Sequence, residues 1–153
     1  MGVTPNKELV ADLHVPATSE GMDQIHAALE KCCRRLRGKR TLEQEWCDAF
    51  VLAVAEVSAN IIQYAYPPGA TDPRFSLSVT QAADHLTARL VDWGTATISL
   101  EVAAELPPLP DSIDRLRDRG RGLAIIRMTT DHFAYDRTPA GENVWVIDKW
   151  FAH

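Results

Sequence analysis

Apolar and polar residues alternate in several short stretches, and each stretch predicts a β-strand. Residues 8–15 alternate weakly before a proline, a pattern that suits an edge strand. Residues 74–80 and 85–92 alternate with period two on either side of a short polar turn, which predicts a hairpin. Two more strands are expected at residues 132–137 and 143–151, joined by the turn sequence Pro-Ala-Gly-Glu.

Two shorter helices are predicted where apolar residues recur every three or four positions. The first covers residues 20–37; Ser19 is a suitable N-cap for it and Gly38 is expected to end it. The other begins near Gly122, where a group of apolar residues follows at helical spacing. Both helices are expected to place an apolar stripe against the sheet.

A long, mostly apolar helix is predicted between these two. Thr41 and Gln44 form a capping-box pattern at its start, and two prolines and a glycine stop it after about Tyr66. Residues 95–119 follow no period and contain three prolines and the charged cluster DRLRDR. A stretch of this length inside a compact domain usually has a function, and we interpret it as a mobile lid.

The order of these elements predicts the fold class. A strand, two helices, two strands, the lid, a helix and two strands form an α+β fold with two layers, a mostly antiparallel sheet and about three helices on one face. The 153 residues are expected to form a single domain with a substantial core.

Composition excludes several classes of function. The formal charge of −5, from 16 basic and 21 acidic side chains, argues against direct nucleic-acid binding. No apolar run approaches the roughly 20 residues that span a bilayer, and the start of the chain has no signal-peptide pattern, so we expect a cytoplasmic protein without a membrane partner. Three cysteines at irregular spacing predict neither a disulfide framework nor a zinc site.

The long helix carries Glu56 and Asn60 one turn apart in an apolar run. Burying a carboxylate there costs several kcal/mol unless something pairs with it, and a metal-bound polyphosphate would be such a partner. Asn60 offers a hard oxygen ligand to Mg²⁺, and Glu56 is near enough to act as a general base. The alternative is that Glu56, Asn60 and Gln63 form an ordinary solvated stripe.

Asp92 and Gly94 stand at the end of a predicted strand. A carboxylate can accept the exocyclic amino hydrogen of a purine, and a glycine leaves room for the ring. A turn aspartate is the alternative explanation for a single D-x-G.

A second glycine pair, Gly120 and Gly122, precedes the short helix together with Arg121 and Leu123. Backbone N–H groups at such a helix start are suited to bind an anion. A plain glycine-containing loop is the alternative.

Together these motifs resemble the GHKL superfamily, the ATP-binding domains of gyrase, heat-shock chaperones, histidine kinases and mismatch-repair ATPases. In particular, the chain is similar to small bacterial anti-sigma-factor serine/threonine kinases. Three motifs carry the resemblance: Glu56-x-x-x-Asn60 with Ala65-Tyr66 as the N box, Asp92-x-Gly94 as the first glycine box, and Gly120-x-Gly122-Leu123 as the second. Near Asn143 and Val144, relatives often carry a threonine that helps to hold the adenine-binding aspartate.

The resemblance implies a Bergerat-type fold with ATP and Mg²⁺ as cofactors and residues 95–119 as the ATP lid. It assigns Glu56 as general base, Asn60 as Mg²⁺ ligand, Asp92 and Gly94 to adenine, and Gly120, Arg121, Gly122 and Leu123 to the phosphates. It also implies that the γ-phosphoryl group passes to a Ser or Thr of a STAS-type anti-sigma-factor antagonist. The phosphorylated antagonist would dissociate, and the kinase would bind its sigma factor.

Two other functions are compatible with the motifs. The domain could work as an anti-sigma interaction module that binds ATP without kinase activity. The catalytic half of a histidine kinase is less expected, because no phosphoacceptor helix pair precedes the motifs and His26 has the setting of a surface residue. A homodimer through residues 9–15 or the first helix is also expected, because an unpaired edge strand gains from a partner.

Overall fold

Five antiparallel strands form one sheet in the order β1-β2-β3-β5-β4. The structure is a computed structural model; it describes residues 6–95 and 118–151, with the side chains of residues 118–121 excluded. Most of the expected lid therefore lies outside the described residues. The strands are β1 (Glu8–Pro16), β2 (Arg74–Gln81), β3 (His85–Asp92), β4 (His132–Arg137) and β5 (Asn143–Trp150).

One face of the sheet is buried, as the period-two pattern predicts. Antiparallel register places Leu77 opposite Leu90, and Leu90 opposite Trp145, so these three side chains point to the same face. All three are buried in the core. A fully buried leucine stabilises the fold by roughly 1.5–3 kcal/mol, so this row of the sheet is a main source of stability.

Three helices complete the described part of the fold: α1 (Ser19–Lys39), α2 (Gln44–Asn60) and α3 (Asp118–Thr129). The buried positions of α1 recur at helical spacing, and α2 packs against both α1 and α3. The close approach of β1 and α1 requires glycine at position 21, where a Cβ atom would stand 1.8 Å from the carbonyl oxygen of Pro16. The α+β architecture predicted from the order of elements is confirmed.

The start and end of α1 differ from the prediction. Ser19 is the first helical residue, and the N-cap position belongs to Thr18, which makes no capping hydrogen bond through its side chain. Gly38 does not end the helix; it lies inside it, and a Cβ atom there would meet nothing within 4 Å. The helix ends at Lys39, and the extended C-cap residue Arg40 still donates its backbone N–H to the carbonyl oxygen of Leu36.

The capping box predicted at the start of α2 does not form. Glu43 precedes the helix, without a side-chain cap. The side chain of Gln44, which would have reached back, is bound to Arg37 and donates to Asp48 at 2.8 Å. One contact to α1 and one within α2 thus take the place of the capping box.

Two boundaries near the expected site also differ. The α-helical part of α2 ends at Asn60, and a single π-helical turn, Ile61–Ala65, carries the chain on to Tyr66. The third helix begins at Asp118, four residues before Gly122, so Gly120 and Gly122 lie inside its first turns. Such π turns often occur at functional sites.

The position of β1 at one edge of the sheet agrees with the edge strand expected from its weak alternation. Leu9, on this strand, is 56% exposed. Among the described residues, no helix combines the length and apolar character that crossing a membrane requires.

Candidate functional site

Asn60 stands where the α-helical part of α2 gives way to the π turn. Its side chain is 5% exposed, and its Nδ2 donates a hydrogen bond to the carbonyl oxygen of Glu56 at 3.1 Å. Because only the nitrogen of the amide can donate to a carbonyl, this contact fixes which way the amide points. Within residues 6–95 and 118–151, no donor reaches Oδ1, so this oxygen is available to a cation.

Glu56 is half-buried and lies on the side of α2 that faces α3. Its carboxylate forms no hydrogen bond or salt bridge with any residue that the structure describes. Burial raises the pKa of the Glu56 carboxyl above its usual value. A carboxylate with a raised pKa and no partner is a better proton acceptor near neutral pH than an ordinary surface glutamate.

The backbone of α3 lies directly against these two side chains. A Cβ atom at Gly122 would stand 2.8 Å from Oε2 of Glu56 and 3.3 Å from Nδ2 of Asn60. Any larger residue would therefore displace the carboxylate. The structure thus brings Gly122 next to Glu56 and Asn60, although Gly122 follows Glu56 by 66 positions in the sequence.

The carboxylate of Asp92 is completely buried and accepts three hydrogen bonds. Its Oδ1 accepts from the backbone N–H of Gly94 at 2.9 Å and from Nδ2 of Asn143 at 2.7 Å, and its Oδ2 accepts from the indole N–H of Trp145 at 3.0 Å. Each carboxylate oxygen has about two acceptor positions. The described contacts therefore leave one position on Oδ2 for a ligand donor.

A second layer of contacts holds this carboxylate in place. Asn143 also donates to the carbonyl oxygen of Gly94 at 3.0 Å, and its own Oδ1 accepts from Tyr135 at 2.6 Å and from Arg137 at 3.0 Å. Arg137 reaches the carbonyl oxygen of Gly94 as well, at 3.0 Å. Side chains from β4 and β5 thus fix both the carbonyl group of Gly94 and the carboxylate of Asp92.

Sequence reasoning noted Asn143 only as a neighbour of a family position and missed Trp145, Tyr135 and Arg137. Strand register was the available signal, because Asn143 pairs with Asp92 across β3 and β5, and with Arg137 across β5 and β4. Inward-facing polar residues opposite a buried aspartate are natural partners for it. Trp145 was not distinguishable from an ordinary core aromatic residue.

The turn after Asp92 packs against the end of the π turn. A Cβ atom at Gly94 would lie 2.1 Å from the carbonyl oxygen of Ala65, so no other residue fits there without moving the backbone. The N–H of Trp93 donates to the hydroxyl of Tyr66 at 3.0 Å, and that hydroxyl donates to the carbonyl oxygen of Arg74. The segment that follows Asn60 therefore contacts the turn that carries Asp92.

The remaining predicted phosphate-binding residues lie at the start of α3. Gly120 and Arg121 are within its first turn, where backbone N–H groups have no partner inside the helix. The side chain of Leu123 is 2% exposed and belongs to the hydrophobic core, so it does not face a nucleotide. The assignment of these residues to phosphates stays a prediction.

The residues at this site fit a nucleotide and a magnesium ion. No group of three or more His, Cys, Asp or Glu side chains suited to a metal occurs in the part of the chain that the structure describes. Mg²⁺ commonly uses few protein ligands and takes its other oxygens from phosphates and water, so the free Oδ1 of Asn60 suits it. Asp92 offers an acceptor for a purine amino group at the other part of the site.

Two solved structures have folds similar to this one. A chain of the SiaB-SiaC complex from Pseudomonas aeruginosa matches with a TM-score of 0.65 and 15% identity, over 93% of this chain and 90% of its own length. The structure of the RsbU and RsbW domains of Rv1364c from Mycobacterium tuberculosis matches with a TM-score of 0.60 and 13% identity, over 91% of this chain. The present chain spans only 32% of that longer protein.

A search among curated proteins finds no match to the sequence. A family model does match, and it covers residues 15–147, which include both the Glu56–Asn60 helix and the Asp92 turn. The chain therefore belongs to the histidine kinase-like ATPase domain family.

Proposed function

We propose that this protein is an anti-sigma factor and an ATP-dependent serine/threonine kinase that phosphorylates a STAS-type anti-sigma-factor antagonist. The observation that carries the proposal is the convergence of the Glu56 carboxylate and the Asn60 amide on the backbone of Gly122. The family supports ATP use, and the motif spacing resembles the anti-sigma kinases. Release of the phosphorylated antagonist would then permit binding of a sigma factor.

Each residue has a defined task in this proposal. Asp92 binds adenine through the acceptor position that its carboxylate keeps, and Gly94 positions that carboxylate, because its N–H donates to Oδ1 and its lack of a Cβ lets the turn pack on Ala65. Asn60 holds Mg²⁺ through Oδ1, and the start of α3 binds the phosphates: Gly120 and Arg121 offer first-turn N–H groups, and Gly122 and Leu123 follow directly. ATP with Mg²⁺ supplies the phosphoryl group and offsets the charge that develops during its transfer.

Glu56 acts on the acceptor protein. Its carboxylate accepts the proton of the Ser or Thr hydroxyl while that oxygen forms its bond to the γ-phosphorus and ADP leaves. The half-buried position and the raised pKa suit this task, and Gly122 restricts where the carboxylate can point. We further propose that the protein acts in the cytoplasm as a homodimer.

Phosphoryl transfer tests this assignment directly. The protein is incubated with γ-labelled ATP, Mg²⁺ and the STAS-type protein encoded nearest to its gene, and label on the acceptor is measured. Glu56→Gln is expected to lower transfer at least about 100-fold while ATP affinity stays within about threefold. Glu45→Gln, an exposed carboxylate on the same helix, is the matched control and keeps the activity. Absence of transfer by the unchanged protein would overturn the kinase proposal.

An interaction module without kinase activity is the second candidate. It is favoured by the similarity to a chain of the SiaB-SiaC complex over nearly the full length of both chains, because that relative was solved bound to another protein. Calorimetry separates the two functions. Mg-ATP binding together with sigma-factor or antagonist binding, but without transfer, supports the module.

A further inference from the structure

Two oxygen atoms at the Asp92 turn already hold as many donors as they can accept. The Oδ1 atom of Asp92 accepts from the backbone N–H of Gly94 and from Nδ2 of Asn143. The carbonyl oxygen of Gly94 accepts from the same Nδ2 atom and from Nη1 of Arg137, both at 3.0 Å. A carbonyl or carboxylate oxygen has about two acceptor positions. Neither atom therefore has a position left for a ligand.

Arg137 supplies the second donor to the Gly94 carbonyl. It is the last residue of β4, and strand register places Arg137 opposite Asn143, which in turn lies opposite Asp92. The three side chains therefore form one row across three strands, on the same face of the sheet. The Nη1 atom of Arg137 also donates to Oδ1 of Asn143 at 3.0 Å. One end of the guanidinium is thus fixed at the edge of the site.

The contacts of Arg137 differ from those of an arginine in a surface ion pair. The residue is exposed, and it forms no salt bridge with any carboxylate in residues 6–95 and 118–151. Its hydrogen bonds within this part of the chain go to Gly94 and Asn143. A guanidinium has no acceptor, so it can fill acceptor positions but never offer one. Arg137 therefore limits the hydrogen bonds that the turn can form with a ligand.

The described contacts leave one open acceptor position at the turn, on Oδ2 of Asp92, which accepts from Trp145 at 3.0 Å. Adenine needs a single acceptor here, for its amino group. A guanine that turned its ring N–H toward Oδ2 would bring its 2-amino group alongside as a second donor. Because Oδ1 and the Gly94 carbonyl are filled, that amino group would stay unpaired, which is unfavourable in a buried site.

We propose that Arg137 determines base specificity: by filling the carbonyl oxygen of Gly94, it denies a hydrogen-bond acceptor to the 2-amino group of guanine. The inference rests on the proposed function in one respect, namely that a purine nucleotide binds at Asp92. It does not depend on phosphoryl transfer. Arg137 acts on the base through Gly94, so it is a positioning residue.

Asn143 contributes to the same turn, but Arg137 is the residue that can be removed selectively. Without Arg137, the Gly94 carbonyl keeps its contact with Asn143 and regains one acceptor position. Asp92 keeps all three of its donors, because none of them comes from Arg137. Loss of Asn143 would instead free positions on two oxygen atoms at once and release the carboxylate that binds adenine.

Two nucleotides that differ by one amino group test the proposal. Inosine triphosphate and GTP share the ring N–H and the ring oxygen, and only GTP carries the 2-amino group. Dissociation constants are measured by competition with labelled ATP at equal Mg²⁺. In the unchanged protein, GTP is expected to bind no more tightly than inosine triphosphate. In Arg137→Met, the affinity for GTP relative to inosine triphosphate is expected to rise at least about tenfold, while ATP affinity stays within about threefold.

Arg89→Met is the matched control. Arg89 is an exposed arginine of β3, and strand alternation places it on the opposite face of the sheet from its buried neighbour Leu90. This variant is expected to leave all three affinities within about twofold, because no hydrogen bond at the turn changes. Thermal unfolding verifies that both variants are folded.

An equal change in all three affinities in Arg137→Met would show a structural role only and would overturn the proposal. A preference of the unchanged protein for GTP over inosine triphosphate would also overturn it, because the 2-amino group would then already have a partner. ATP binding with an unchanged ratio in Arg137→Met contradicts the inference alone. Absence of binding by all three nucleotides contradicts the proposed function, and the inference fails with it.

Discussion

The indole N–H of Trp145 donates to Oδ2 of Asp92 at 3.0 Å, and both side chains are buried. Among the described residues, the Asp92 carboxylate forms no salt bridge, so this contact helps to orient it. The contact leaves Oδ2 one acceptor position. Trp145 in turn packs edge-to-face on Tyr135, with ring centroids 4.7 Å apart. The adenine position proposed for Asp92 is therefore held by the packing of the sheet.

Trp145→Phe is expected to keep an aromatic ring in the core and remove the donor. A hydrogen bond to a charged group contributes about 1.5–3 kcal/mol, so the free energy of unfolding should fall by at least that amount, because the smaller ring also leaves a cavity. ATP affinity should fall by about tenfold, because the carboxylate loses its orientation. Denaturant unfolding and calorimetry measure the two effects. Trp150→Phe, in an exposed position at the end of β5, is the control, and equal behaviour of the two variants would contradict the assigned role.

Base selectivity is the second prediction. Inosine triphosphate carries an oxygen where ATP carries an amino group, so two acceptors would face each other at Asp92. Its affinity should be lower than that of ATP by roughly 100-fold, which corresponds to about 2.7 kcal/mol for an unpaired buried polar group. Calorimetry with the two nucleotides at equal Mg²⁺ measures the ratio. Comparable affinities for ATP and inosine triphosphate would show that the purine base does not contact Asp92.

Two helical glycines give a matched pair of variants. Gly122→Ala places a methyl group 2.8 Å from Oε2 of Glu56, so the carboxylate must move, and we expect loss of most phosphoryl transfer and about 1–3 kcal/mol of stability. Gly38→Ala meets nothing within 4 Å and should stabilise the protein by about 0.5–1 kcal/mol. Thermal unfolding and the transfer assay test both. Full activity in Gly122→Ala would show that Gly122 does not restrict the Glu56 carboxylate during transfer.

The raised pKa of Glu56 predicts a pH dependence of stability. A carboxyl whose pKa is higher in the folded state binds its proton more tightly there, so the folded state loses stability as pH rises from the unfolded pKa, about 4.5, through the folded pKa. Glu56→Gln should therefore be more stable than the unchanged protein at pH 7, and this advantage should vanish near pH 4. Glu45→Gln should show no such difference. Urea unfolding across this pH range provides the measurement.

The same pKa predicts the direction of the activity profile. Glu56 must be deprotonated to accept a proton, so phosphoryl transfer should rise with pH through the folded pKa of Glu56 and level off above it. Single-turnover rates at saturating Mg-ATP provide the profile. A rate that is independent of pH between 5 and 8 would contradict the role of general base.

Period and spacing in the sequence were sufficient to predict the sheet. β2 and β3 were expected almost to the residue, because one face of each strand is apolar and the other polar, and the α+β class followed from the order of elements. The family suggested by the three motifs is confirmed as well. The individual roles of the site residues stay predictions.

Side-chain contacts that compete with the expected ones were not predictable. The cap at Gln44 failed because Arg37, on the preceding helix, and Asp48, one turn further along α2, bind that side chain. The tryptophan that reaches Asp92 looks like any core aromatic residue until the register of β3 and β5 is known.

The π turn after Asn60 makes the relative position of Asn60 and Ala65 depend on the number of residues between them. A π turn holds one residue more than an α turn, so everything after it is rotated by about 100° from where a regular helix would place it. That rotation directs Ala65 toward Gly94 while Asn60 still faces α3. Deleting one residue between positions 61 and 64 would restore a regular helix and separate the two contacts, whereas exchanging one aliphatic residue for another would preserve them.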